Sequence, residues 1–239
     1  MPTTPVLRMS PTRFPGGINT AEPYQAMANM GQVDRTRIYT DESDFFVYTA
    51  ADWTVTLVGA GGTKALTAGA GGLLGVANSA GIADSTYYQR TVAAFTPVAG
   101  KRAFFKIRLK LDSVVLTIFQ AGLILTDSTP LDATDGIYFI KPTAATATGD
   151  VIVRKNATTG STTLTGVVTF VADTFTVLAF EYDGANAILF YQDDKLVAKL
   201  DASATYFPDA DLALSFGFTN GSAVARTMTV DYVMAAIER

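Results

Sequence analysis

From Phe45 onward the chain is cut into short runs of alternating apolar and polar residues separated by turn residues, with no ten-residue amphipathic helix between them. The clearest run is Ala103-Phe104-Phe105-Lys106-Ile107-Arg108-Leu109-Lys110-Leu111. In an extended backbone successive side chains point to opposite faces, so Phe105, Ile107, Leu109 and Leu111 share one face and Lys106, Arg108 and Lys110 the other. A strand with one buried and one wetted face belongs to an antiparallel sheet, not to the doubly covered parallel sheet of an α/β fold.

The same reading predicts strands over residues 45–49, 53–58, 115–125, 137–140, 151–154, 162–168 and 174–182. It continues over 187–192, 195–200, 212–219 and 227–237. Asp183-Gly184 and Asp193-Asp194 fall where hairpin turns belong. The expected fold is therefore all-β, an antiparallel jelly-roll sandwich with an extended N-terminal arm containing one short helix. We divide it into an arm (1–44) and a β-sandwich (45–239), the latter into a Gly-rich β portion (45–84) and a jelly roll (85–239).

The arm holds five of the nine prolines and four of the six methionines and shows no strand alternation. A helix is expected over residues 22–30, capped by Asn19 or Thr20, with Pro23 in its first turn and Gly31 as its stop. Residues 1–40 carry four arginines against Glu22 and Asp34, leaving 14 basic and 20 acidic residues beyond them. An arm that cannot bury a core of its own is expected to dock on a partner. Its candidate contacts are Arg8, Met9, Arg13, Phe14, Tyr24, Met27, Met30, Arg35 and Arg37, joined by the basic stripe Lys106, Arg108 and Lys110.

Composition narrows the chemistry. With no histidine and no cysteine, histidine-dependent triads, thiolate nucleophiles and common zinc sites are excluded. Only four glutamates remain: Glu22, Glu42, Glu181 and Glu238. The acidic body argues against nucleic acid, whose binding leaves a basic face. Residues 114–125 are too short and too interrupted to span a bilayer as a helix. Gly69 to Gly75 lacks the sixth-position glycine of a dinucleotide fingerprint, and Gly61-Gly62-Thr63-Lys64 lacks the order of a phosphate loop, so both read as turns. Trp53, the single tryptophan, is expected in the core.

Phe175 to Gly184 followed by Ala187 to Val197 resembles the two central hairpins of concanavalin A-like jelly rolls, the lectin, glucanase and laminin-G type. Leu214 to Asn220 leading into Thr229 to Val233 resembles their last two strands, so the likeness covers roughly residues 85–239. Enzymes of that superfamily place catalytic carboxylates on one strand as Glu-x-Asp-x-Glu. Here the nearest segment is Glu181-Tyr182-Asp183, without the second glutamate. Lectins of the superfamily often use an oxygen-ligated calcium, for which Asp127, Asp132 and Asp135 share one loop, but the favoured reading of these aspartates is as turn and cap residues within 126–136.

The whole layout also resembles a group of tailed-phage virion proteins that decorate or cement capsids. That resemblance implies a shell-binding structural protein of the capsid exterior, a homo-oligomer meeting a major capsid protein or other virion subunits, with no cofactor and no enzymatic activity. The alternatives are a carbohydrate-binding fibre or surface lectin and, more remotely, a glycoside hydrolase.

Overall fold

The computed structural model describes residues 38–60, 62–69, 71–156, 162–202 and 205–239. The predicted helix and the nine arm contacts lie outside them. Fifteen strands are described. They are β1 (Ile38–Ser43), β2 (Trp53–Val58), β3 (Gly62–Thr67), β4 (Leu73–Asn78), β5 (Ser85–Arg90), β6 (Ala103–Leu111), β7 (Thr117–Ile124) and β8 (Gly136–Lys141). There follow β9 (Thr148–Arg154), β10 (Thr162–Thr169), β11 (Thr176–Tyr182), β12 (Ala187–Gln192), β13 (Lys195–Asp201), β14 (Ala213–Asn220) and β15 (Arg226–Glu238).

These form two antiparallel sheets. One runs β13-β12-β11-β6-β15-β4-β3, with β1 also on β15, and the other β10-β9-β8-β7-β14-β5-β2. Sequence neighbours such as β6 and β7 lie in different sheets, as a jelly roll requires. The all-β sandwich is the fold expected from the strand pattern.

From Phe105 to Leu111 the alternation in β6 holds residue by residue, while Phe104 is buried on the other face with Ile38, Ala179, Tyr191 and Ala236. Phe105, Ile107, Leu109 and Leu111 are buried in the intersheet core, while Lys106, Arg108 and Lys110 stay half-exposed on the outer face. An aromatic chain ties the layers together. Phe105 stacks on Phe180 at 5.4 Å, Phe180 meets Phe190 at 5.8 Å, and Phe190 crosses to Phe139 of the opposite sheet at 5.4 Å. Truncating any one of these buried rings to alanine costs about 3–5 kcal/mol.

Turn chemistry also follows the sequence. Asp193 and Asp194 both take positive φ, as a two-residue hairpin of mirror-image turn type needs, and join β12 to β13. Asp183 accepts the amides of Ala185, Asn186 and Ala187, which closes the β11–β12 hairpin from its side chain.

Four features depart from expectation, the first being β5 (Ser85–Arg90), which falls where no strand is expected. The expected strand at 45–49 is a loop, because Phe45 adopts φ 51° and turns the chain back. The strand lies earlier, as β1, inside the segment read as arm and paired with β15. Residues 62–64 and 73–75, expected within turns, belong to strands β3 and β4, which pair as a hairpin.

The pairing of β1 with β15 positions the site. Strand β15 is long enough to have two partners on one edge: β4 along Arg226 to Val230, then β1 along Val233 to Glu238. Between them the register against β6 shifts, with Val230 opposite Leu109 and Tyr232 opposite Arg108, so Asp231 is the extra residue of a bulge.

Candidate functional site

The gap between β4 and β1 gathers charge. Asp231 is 5% exposed and accepts a hydrogen bond from the Arg108 guanidinium of the neighbouring strand. Asp44 follows β1 and approaches the same place. A Cβ built on Gly71 would lie 3.1 Å from Asp44 Oδ1 and 3.6 Å from Asp231 Oδ1, so the two carboxyls converge where only glycine fits. Partial burial, then the charges of Asp231 and Glu42, push the Asp44 carboxyl above its ordinary value.

Asp44 opens into a cleft of about 600 Å³ between the end of β1, the start of β2 and the middle of β15. Its walls include Glu42, Asp44, Asp52, Trp53, Arg90 and Tyr232. Arg90, the last residue of β5, organises one wall. It grips Asp41 with two hydrogen bonds of 2.7 and 2.6 Å, pairs with Asp52 at 3.7 Å, and lies 4.2 Å over the Trp53 ring. Trp53 belongs to the core as expected, packed edge-on against Phe216 at 5.3 Å, yet it also lines this cleft. The cleft therefore combines carboxylates, a guanidinium already held by a carboxylate, and aromatic surface.

The other candidates fall elsewhere. Lys106 pairs with Asp194 at 3.6 Å, Arg108 with Asp231, and Lys110 with Asp173 at 4.0 Å, while Arg108 and Lys110 both overlie Phe175. The basic stripe is thus met by three aspartates of its own chain. Their positions on β12–β13, β15 and a loop gave the linear sequence no reason to join them.

Glu181 faces outward from β11 between Phe104 and Leu189, where burial first and the nearby Asp183 second raise its pKa against the pull of Arg102. Asp183 points into its turn instead. Burial works against its charge, but the amides of Ala187, Ala185 and Asn186 hold its pKa below the ordinary value. The two do not form an acid–base pair. Asp127 accepts the amide of Thr129 at 2.9 Å, Asp135 the amide of Asn156 at 3.1 Å, and Asp132 ends a 3-10 turn. These three serve the loop, and among the described residues no three acidic side chains form a metal-binding group.

Comparison with known proteins adds the fold's relatives. The sequence matches no protein-family model and no curated protein. Among solved structures, a protein of unknown function from Shewanella oneidensis MR-1 aligns with TM-score 0.58 and 14% identity over 99% of this chain and 97% of that one. A β-1,3-1,4-glucanase (lichenase) from a mouse hindgut metagenome aligns with TM-score 0.57 and 14% identity, over 82% and 98% of the two chains. An endo-β-1,4-glucuronan lyase from Trichoderma reesei gives TM-score 0.57 and 12% identity, over 82% and 94%.

The chain shares the two-sheet jelly-roll sandwich fold of these structures. At these identities the likeness shows the fold alone. It nevertheless overturns the expectation that the chain is no enzyme, which treated the sandwich as a structural one; glucanases and a lyase share it over four-fifths of this chain. None of the three is described as a virion protein.

Proposed function

We propose that this protein is a carbohydrate-recognising jelly roll whose glycan site is the cleft at the β1–β15–β2 junction. The observation that carries the reading is the company kept in that cleft: Glu42, Asp44 and Asp52 beside Trp53 and Tyr232, within about 600 Å³. Carboxylates accept hydrogen bonds from sugar hydroxyls, while ring C–H faces pack on aromatic surface. A cavity of this size with few convergent polar groups suits a short oligosaccharide.

Glycosidic hydrolysis uses a pair of carboxyl groups, one as acid and one as nucleophile or base, and Glu42, Asp44 and Asp52 line this one cleft. Asp44, whose carboxyl is pushed upward by partial burial and by the charges of Asp231 and Glu42, is the candidate acid and Glu42 the candidate second carboxylate of the same cleft. The structures sharing the fold act on glucans and glucuronan by their own descriptions, which supports looking for a polysaccharide.

The single tryptophan makes the test direct. Titrating mixed-linkage β-glucan oligosaccharides should shift or quench Trp53 emission with saturation, and Asp44→Asn should weaken that response. Release of reducing ends, lost in Asp44→Asn and Glu42→Gln, would add hydrolysis. A panel of polysaccharides leaving both emission and calorimetric heats unchanged would overturn the reading.

A further inference from the structure

At the mouth of the cleft the loop after β1 exposes two apolar side chains, Phe46 at 72% and Val47 at 75%. That exposure is built. Phe45 is buried, near-parallel to Trp53 at 6.4 Å and edge-on to Phe216 at 6.2 Å, and so pins the loop to the core. Its φ of 51° belongs to the left-handed region, which a bulky residue enters only when its surroundings enforce it, and the reversal sends Phe46 and Val47 outward.

Gly72 backs the loop from the other side. A Cβ there would lie 2.6 Å from the Phe45 carbonyl oxygen and 2.9 Å from the Phe46 nitrogen, and its φ of +87° is likewise one that favours glycine. An aromatic ring is thus held in water at the rim of a cavity, where strain and a close backbone contact keep it from folding inward.

The charge inside the cavity selects what can sit against that ring. Glu42, Asp44 and Asp52 line it, while the cation in its wall, Arg90, is taken by the bidentate Asp41. Among the described residues of the lining no cation is left free, so a uronate, sulfate or phosphate group would meet these carboxylates and like charge excludes it. An uncharged pyranose fits both parts, its hydroxyls donating to the carboxylates and its apolar face covering the ring.

We propose that Phe46 is the stacking platform of the cleft and that the cleft takes an uncharged glycan, rejecting anionic ones. This rests on the glycan reading above and goes beyond it by naming a specificity residue and a substrate class.

The experiment compares the full-length protein with Phe46→Ala and Phe46→Trp by calorimetry against a neutral mixed-linkage β-glucan oligosaccharide and an oligoglucuronate, with sedimentation velocity run on each. The expected result is binding of the neutral sugar by the parent, at least tenfold weaker in Phe46→Ala, retained in Phe46→Trp, and at least tenfold weaker for the oligoglucuronate, with melting temperatures unchanged. Neutral-sugar binding equal in parent and Phe46→Ala, or oligoglucuronate bound as well as the neutral sugar, overturns this inference and leaves the cleft reading standing. Binding of neither sugar removes both. Self-association of the parent that disappears in Phe46→Ala identifies the ring as a contact between copies and also overturns it.

Discussion

Arg90 lies 4.2 Å over the ring of Trp53 while its guanidinium grips Asp41 with two hydrogen bonds. Three elements distant in sequence, β1, β2 and β5, meet at this one side chain. Arg90 and Asp41 are both mostly buried, at 13% and 17% side-chain exposure, so removing either partner strands a charge. Arg90→Met should destabilise the protein by about 2 kcal/mol. A double-mutant cycle with Asp41→Asn, read by urea unfolding, should return coupling of about 1 kcal/mol or more. Additive effects would mean that the pair contributes nothing.

Lys141 is a second buried cation, and among the described residues no carboxylate forms an ion pair with it. Its ammonium donates to the carbonyls of Thr117 and Thr143 at 2.5 and 2.6 Å, and burial lowers its pKa to about 8. Because the folded pKa is depressed, the unfolded chain holds the proton more tightly between about 8 and 10.5, and stability rises with pH across that window. Lys141→Met should flatten this rise and gain about 1–2 kcal/mol at neutral pH, below the ceiling of about 3 kcal/mol that the shift allows. Denaturant midpoints on either side of the window check both statements.

Glu181 predicts the opposite slope. Its folded pKa lies above the ordinary 4.5, so the folded state holds the proton more tightly. Stability from this group is present below that value and is lost as pH rises through the folded pKa. Glu181→Gln should remove the decline, leaving a flatter stability curve from acid to neutral pH. An unchanged slope would show that the outer face around Phe104 does not govern this carboxyl.

Gly72→Ala tests the loop. The added methyl would enter a positive-φ residue and press on the Phe45 backbone at 2.6 Å. A loss of about 2 kcal/mol or more is expected. Trp53 emission should shift with it, since Phe45 packs near the indole.

The fold was legible wherever a run of residues carried its own reason. Phe105 to Leu111 alternates because one face is core, and Asp183 and the Asp193–Asp194 pair mark turns by chemistry local to each hairpin. Strand β1 was not, because Thr40, Asp41 and Glu42 are held by pairing to β15 and by Arg90, not by an apolar face. The cleft was illegible for the same reason. Asp44 and Asp231 come together through a bulge and a glycine, neither of which alternation reveals. The basic stripe was read correctly as a face, but its aspartate partners arrive from three separate elements.

Strand β15 carries β6 on one edge and both β4 and β1 on the other. The first described strand therefore has no ladder until the last one is in place, and β4 and β6, which flank it, cannot be joined without it. Refolding should be slow and all-or-none, limited by the search that brings the two ends of the sandwich together rather than by any hairpin. Shortening the chain within β15 would remove a keystone instead of trimming an edge, and the remaining strands would be left exposing unpaired backbone to one another and to other copies.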